Sequence, residues 1–244
     1  MSTAMPDSLR RQLAPTGTLR VGLNMSNFLL INKARENGEP TGIAPDVGRD
    51  LARRAGVPVK YVEYALPGDL AAAASQDAWD VGLIGADPLR AAEIAFTPAY
   101  LEIEASYLVP AGSPLQSIEE VDRPGIRIAV ADKAAYDMYL RRTLKHATLV
   151  RAVGIEGSYQ LFLAEKLEVL AGLKPRLVED QEKQPGSRIL PGRFTAVQQA
   201  IGVPIARTEA AMYLLGYVEE IKAGLVAQSI EKHKVRGVNV APAA

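Results

Sequence analysis

Arg90 closes the turn Ala86-Asp87-Pro88-Leu89-Arg90, just after an apolar run that ends at Gly85. A guanidinium carries five N–H donors in a planar fork and can grip a carboxylate through two parallel bonds. An arginine placed there is a candidate anchor for an acidic small molecule, against the plain alternative of a surface arginine on a solvated turn. Asn24 and Asn27 flank the end of another apolar run, where they can hydrogen-bond a ligand or simply satisfy their own turn. Tyr100, Tyr136 and Phe28 can line a pocket as apolar walls, the tyrosines with a hydroxyl tip, or pack in a core. Lys174 offers a further cation, although a helix-start role is its commoner use. Of Gln198 and Gln199, one can touch ligand and the other solvent.

These side chains need elements to hold them. Residues 79–85, Trp-Asp-Val-Gly-Leu-Ile-Gly, read as a short buried strand, and Pro88 suits the first position of a short helix carrying Arg90. Residues 19–24 form an earlier strand, and the loop 25–37 ends in the turn Glu36-Asn37-Gly38-Glu39-Pro40. Asp46 precedes Val47, Leu51 and Ala55 at helical spacing, with Gly56 as the stop. A strand over 57–65 and a short helix over 69–76 complete a β-α-β-α-β order, which implies a parallel sheet.

The pattern then repeats. Strands are expected at 127–131, 149–153 and 167–173, with helices at 134–144 and 159–166 between them and a polar helix over 175–184. Thr208 is a plausible cap for a long helix with Ala211, Leu214, Leu215, Val218, Ile221 and Leu225 in register, packing on the first lobe. The expected fold is therefore α/β and two-lobed, each lobe a mainly parallel sheet flanked by helices. Lobe 1 takes 1–108 with 200–244 and lobe 2 takes 109–199, joined by a two-strand hinge near 105–111 and 198–206. Ligand contacts should come from loops at the carboxyl ends of the strands.

Composition removes several classes of function. Of 244 residues 48% are hydrophobic, and 28 basic residues balance 28 acidic ones, so no overall field favours nucleic acid or an anionic membrane. The absence of cysteine excludes disulfides, thiolate metal sites and cysteine nucleophiles. His146 and His233 lack partners at metal spacing and read as surface residues. No Gly-x-Gly-x-x-Gly follows a strand and no phosphate loop is present, so neither a cofactor nor a metal is expected. Residues 1–18 contain no apolar core of a signal peptide, and no apolar run approaches the roughly 20 residues of a membrane span.

Leu19-Arg20-Val21-Gly22, the turn 36–43 leading into Asp46, Trp79-Asp80-Val81-Gly82, and Pro88-Leu89-Arg90-Ala91 followed by Ile94-Ala95-Phe96-Thr97-Pro98-Ala99-Tyr100 occur in an order that resembles the family 3 bacterial solute-binding proteins. These are amino-acid-type receptors of ABC importers with the type II periplasmic-binding fold. The likeness runs over about 19–233. It implies that Arg90 holds the ligand's α-carboxylate and that Phe28 covers the ligand.

The family's acid for the α-ammonium falls at Leu173, followed here by Lys174. Leucine cannot compensate an ammonium ion, and a buried charge without a counterion costs several kcal/mol. Unless Asp87, Glu102 or Glu156 takes over, the charges suit a mono- or dicarboxylate lacking an amino group. The resemblance further implies a periplasmic monomer with an ABC permease as partner, or a cytoplasmic location if Met1 is the native start. The rival reading is a lyase similar to cyclohexadienyl dehydratase, with Glu102 or Glu156 as a general acid of raised pKa; a cytoplasmic small-molecule sensor is the third.

Overall fold

The computed structural model describes residues 5–32 and 34–243. In chain order the first elements are α1 (Asp7–Leu13), β1 (Leu19–Asn24), a hairpin of β2 (Arg35–Glu36) and β3 (Glu39–Pro40), α2 (Ile43–Ala55), β4 (Val59–Tyr64), α3 (Pro67–Ala72), β5 (Val81–Gly85) and β6 (Ile94–Phe96). There follow β7 (Leu101–Val109), β8 (Arg127–Ala131), α4 (Ala135–Thr143), β9 (Thr148–Ala152), α5 (Gly154–Ala164), β10 (Val169–Leu173), α6 (Lys174–Glu182) and β11 (Arg188–Ile189). The chain ends with β12 (Thr195–Pro204), α7 (Thr208–Ile221), α8 (Ala227–Lys232) and β13 (Asn239–Val240). Two compact units emerge: Met1–Glu102 with Gln198–Ala244, and Ile103–Val197.

In the first unit β1 lies between β4 and β5 and parallel to both, with Leu19 opposite Val59 and Val21 opposite Val81. β12 adds antiparallel to β5, placing Gln199 opposite Gly85. In the second unit β8 lies between β9 and β10 and parallel to both, and β7 pairs antiparallel with β10, Ala105 opposite Leu173. Each unit is thus a mainly parallel sheet carrying its crossover helices.

One clasp is built twice. In the first unit the carboxylate of Asp80, just ahead of β5, accepts the backbone N–H of Arg20 at 2.7 Å and its guanidinium at 2.7 and 3.1 Å. In the second, Glu168 ahead of β10 accepts the backbone N–H of Arg127 at 2.9 Å and its guanidinium at 2.9 and 3.0 Å. Both tie the start of a first strand to the start of a third. Asp80 is 0% exposed and also accepts Arg207 at 2.7 Å, whereas the Glu168 pair lies at the surface.

The core of the first unit forms around Trp79, whose indole N–H donates to the Leu70 carbonyl at 2.9 Å while its ring packs on Leu70, Ala73, Ile84 and Ile94. A Cβ at Gly82 would come within 3.1 Å of that ring, and one at Gly22 within 2.5 Å of Leu70 Cδ1. The repeated Val-Gly pair therefore lets a large side chain lie flat on two neighbouring strands. In the second unit Leu108, Ala129, Tyr159, Phe162, Leu170 and Leu177 fill the same role.

Thr208 does not cap α7: its first amides, of Glu209 and Ala210, donate instead to Gln12 Oε1 on α1, a residue almost 200 positions away. The buried stripe of α7 is Ala210, Leu214, Tyr217, Val218 and Ile221, while Leu215 is 49% exposed. His233 is not a surface residue, for its side chain is only 8% exposed. Its Nδ1 accepts from Asn32 Nδ2 at 3.0 Å, which leaves Nε2–H to donate to Asp46 at 2.9 Å. Asp46, buried at the start of α2, also accepts Ser229 and Lys232 from α8 and Arg49 from its own helix.

Two outcomes follow from these clusters. Asp80→Ala removes the buried carboxylate that Arg20 and Arg207 share and leaves them only the exposed Asp77 as an acid partner, and it should cost about 3 kcal/mol in urea denaturation, whereas Glu168→Gln at the surface should cost far less. Equal losses would show that burial does not separate the two clasps. Burial alone would raise the pKa of Asp46, but hydrogen bonds from His233, Lys232 and Ser229 outweigh it and hold the carboxyl below its ordinary range. A lowered folded-state pKa gives stability that is complete above the unfolded value of about 3.9 and is lost as pH falls through the folded value. The melting-temperature gap between the wild type and Asp46→Asn should therefore be widest above about pH 4 and narrow on acidification.

Candidate functional site

At the carboxyl edge of the first unit's sheet, β1 and β5 send their connections to opposite sides, and such a switch point is where open parallel sheets receive ligands. The segments after these two strands carry Asn24, Asn27 and Phe28 on one side and Asp87 and Arg90 on the other.

Asp87 shapes the second segment. Its side chain accepts the Leu89 amide at 2.9 Å and its carbonyl accepts the Arg90 and Ala91 amides at 3.0 and 3.1 Å. The expected helix starting at Pro88 is a 3-10 turn that begins at Arg90 itself, because Asp87 takes up the preceding residues in an Asx-type turn. Arg90 is 7% exposed, and it donates to the Gly85 carbonyl at 2.5 Å. Desolvation pulls its pKa down to about 10, with the charge of Asp87 opposing the shift. At neutral pH the guanidinium stays protonated in surroundings that strengthen its attraction for an anion.

Asn24 Oδ1 accepts the Ser26 amide and hydroxyl at 3.3 and 2.7 Å, and Asn27 Oδ1 accepts the Leu29 amide at 3.3 Å. Both side-chain carbonyls serve the loop, so the Nδ2 groups are what these residues can offer a ligand. Phe28 is half-buried in the same loop. Gln198 on β12 accepts the Ala86 amide on its backbone at 2.7 Å and donates from Nε2 to Glu102 at 2.9 Å, which fixes the returning strand to the turn before Arg90. Tyr100 is fully buried; its backbone bonds Gln199 and Ala241, and its hydroxyl has no hydrogen-bond partner among the described residues. Burial raises that hydroxyl's pKa, so it stays a donor.

The remaining two candidates lie in the second unit. Tyr136 is buried near the start of α4, and its hydroxyl too has no hydrogen-bond partner among the described residues. Lys174, the first residue of α6, donates to Glu104 at 3.0 Å, and Arg193 reaches the same carboxylate at 3.5 Å. Glu104 went unnoticed as a partner because it sits on β7, seventy residues away in sequence. Its alternation with Ile103 and Ala105 signals only that it faces away from the core.

Glu156 accepts Arg176 at 2.6 Å and Gln160 at 2.7 Å, and those bonds hold its pKa below the ordinary value. A general acid needs the opposite shift, so Glu156 is withdrawn as a proton donor for the lyase reading. Among the described residues no cluster of three or more histidines and carboxylates is placed to hold a metal, and no helix is long and apolar enough to cross a membrane.

Comparison with known proteins agrees with this architecture. The profile of the bacterial extracellular solute-binding proteins, family 3, matches residues 19–233. No curated protein matches the sequence. The solute receptor for L-cysteine of Neisseria gonorrhoeae superposes with a TM-score of 0.75 at 16% identity over 93% of this chain and 95% of that one. The substrate-binding protein of an amino acid ABC transporter superposes at 0.71 with 14% identity over 88% and 98%. An ancestral amino acid-binding protein, a precursor of cyclohexadienyl dehydratase, superposes at 0.73 with 18% identity over 91% and 97%. At these identities the likeness carries the fold, that of the two-lobed type II periplasmic-binding proteins. With a profile match spanning both units, the chain belongs to the bacterial extracellular solute-binding proteins of family 3.

Proposed function

We propose that this chain is the monomeric receptor of an ABC-type importer, and that it closes its two lobes over a small carboxylate-bearing solute held by Arg90. The observation that carries this reading is a protonated, nearly buried guanidinium at the strand-switch edge of a solute-binding fold. The L-cysteine receptor and the amino acid transporter's substrate-binding protein are named for amino acids, which share the carboxylate that this guanidinium suits. Preferential affinity for the closed state would supply the population shift that a permease reads.

The α-ammonium of an amino acid is a poorer fit. Leu173 ends β10 with an apolar side chain, and the neighbouring Glu104 already answers the charges of Lys174 and Arg193. That cluster is net positive, so an added ammonium would be repelled there, and the favoured ligands are organic acids without an amino group.

Scanning fluorimetry and calorimetry with butyrate, glutarate and L-glutamate test the proposal. Acids without an amino group should raise the melting temperature, and Arg90→Ala should weaken their binding about 100-fold. Stabilisation by the amino acid alone, or an undiminished response in Arg90→Ala, would contradict it.

A further inference from the structure

The segment after β1 that carries Asn27 and Phe28 is closed at its far end by a chain of hydrogen bonds leading to the end of α8. The Asn27 carbonyl accepts the amides of Leu30 and Ile31 at 3.1 and 3.0 Å, and the Leu30 carbonyl accepts the Ala44 amide, at the start of α2, at 3.1 Å. Gly42 permits that approach, since a Cβ there would collide with the Leu30 carbonyl oxygen. Asn32 comes next, its amide bound to the Thr41 carbonyl at 2.8 Å. Its side chain leaves the segment and ends on His233, 201 residues later.

This network admits one protonation state of the histidine. Thr41 donates its hydroxyl to the Ala34 carbonyl at 2.9 Å, so toward the Asn32 side chain, 3.1 Å away, it presents only lone pairs. The group of Asn32 that meets it must be the amino group, and the same amino group meets His233 Nδ1 at 3.0 Å. Nδ1 therefore bears no proton, and the single ring hydrogen sits on Nε2, pointing to Asp46 at 2.9 Å.

A second proton, on Nδ1, would set N–H against N–H. Asp46 attracts such a charge, whereas Lys232 of α8, 3.1 and 3.3 Å from the two Asp46 oxygens, and Arg49 of α2, 2.8 Å from the same carboxylate, repel it. With the His233 side chain 8% exposed, water offers little relief. Asp46 itself stays ionised at neutral pH, because its hydrogen bonds hold the carboxyl below its ordinary range.

We infer that His233 is a positioning residue for the ligand segment 25–32 and acts as a latch that protons release. The neutral ring holds Asn32, and with it the turn that presents Asn27 and Phe28. When Nδ1 takes a proton from solvent, Asn32 loses its acceptor and the segment is freed, so the receptor loosens its solute in acid. The ligand role of this segment rests on the receptor reading above, while the latch is a property of the ligand-free protein.

Two measurements between about pH 6 and pH 8 test the latch. One is calorimetry with butyrate, whose carboxyl stays ionised over that range; the other is amide hydrogen exchange of residues 27–32 in the ligand-free chain, corrected for the intrinsic rate. Acidification should weaken butyrate binding about three- to tenfold and lower the protection of 27–32 by a similar factor, with β5 unchanged. The other histidine of the chain, His146, is exposed and lies in the second unit, so His146→Gln should behave as the wild type.

His233→Gln keeps an acceptor and a donor but does not titrate, and it should abolish the pH trend in both measurements. Asn32→Ala should show the weak, loosened state at every pH, and Asn32→Asp, whose carboxylate favours the protonated ring, should reverse the trend. Thermal denaturation confirms that each variant is folded. A trend that survives His233→Gln, or that is missing from either measurement while butyrate binds through Arg90, overturns the inference and leaves the Arg90 reading standing. Exchange that follows His233, with butyrate unbound or bound equally well by Arg90→Ala, upholds the latch and removes the Arg90 reading.

Discussion

A positive charge almost withdrawn from water, at the one edge of a parallel sheet where loops from neighbouring strands diverge, is the constraint around which the first unit is arranged. Arg90 is kept there by its own turn. The Asp87 side chain bends residues 87–90, the Gly85 carbonyl receives the guanidinium, and Gln198 binds the Ala86 amide from the returning strand. Each of these contacts costs little to form once β5 and β12 are paired, and together they place the fork before any ligand arrives. Preorganisation of this kind spares the ordering cost that a flexible arginine would bring to binding.

Arginines in this protein divide by the burial of the acids that meet them. Arg20 and Arg207 share Asp80, which has no access to solvent, and those pairs hold strands and helix in place. Arg141 and Arg151 do the same with the buried Asp137 in the second unit. Arg176 is bound on one side by a buried acid and on the other by an exposed one.

Much of the fold could be read from local pattern. Residues 127–131 and 19–24 are strands as their apolar content dictates, Gly56 ends α2 in the left-handed conformation, and Asn37-Gly38 makes the hairpin turn with both φ values positive. What escaped depended on partners distant in sequence. The cap of α7 is a glutamine nearly two hundred residues upstream, the partner of His233 is Asp46, and the partner of Lys174 is Glu104, none of which lies within one turn or one strand of the group it serves. Arg90 stood out because a Pro-Leu-Arg turn follows an apolar strand.

The resting place of a bound carboxylate decides whether Arg90 is the anchor. A crystal structure of the protein grown with glutarate addresses that directly. A carboxylate group with both oxygens about 2.7–3.2 Å from guanidinium nitrogens of Arg90 is the predicted result. Glutarate bound elsewhere, with the Arg90 guanidinium still meeting only protein groups, would contradict it.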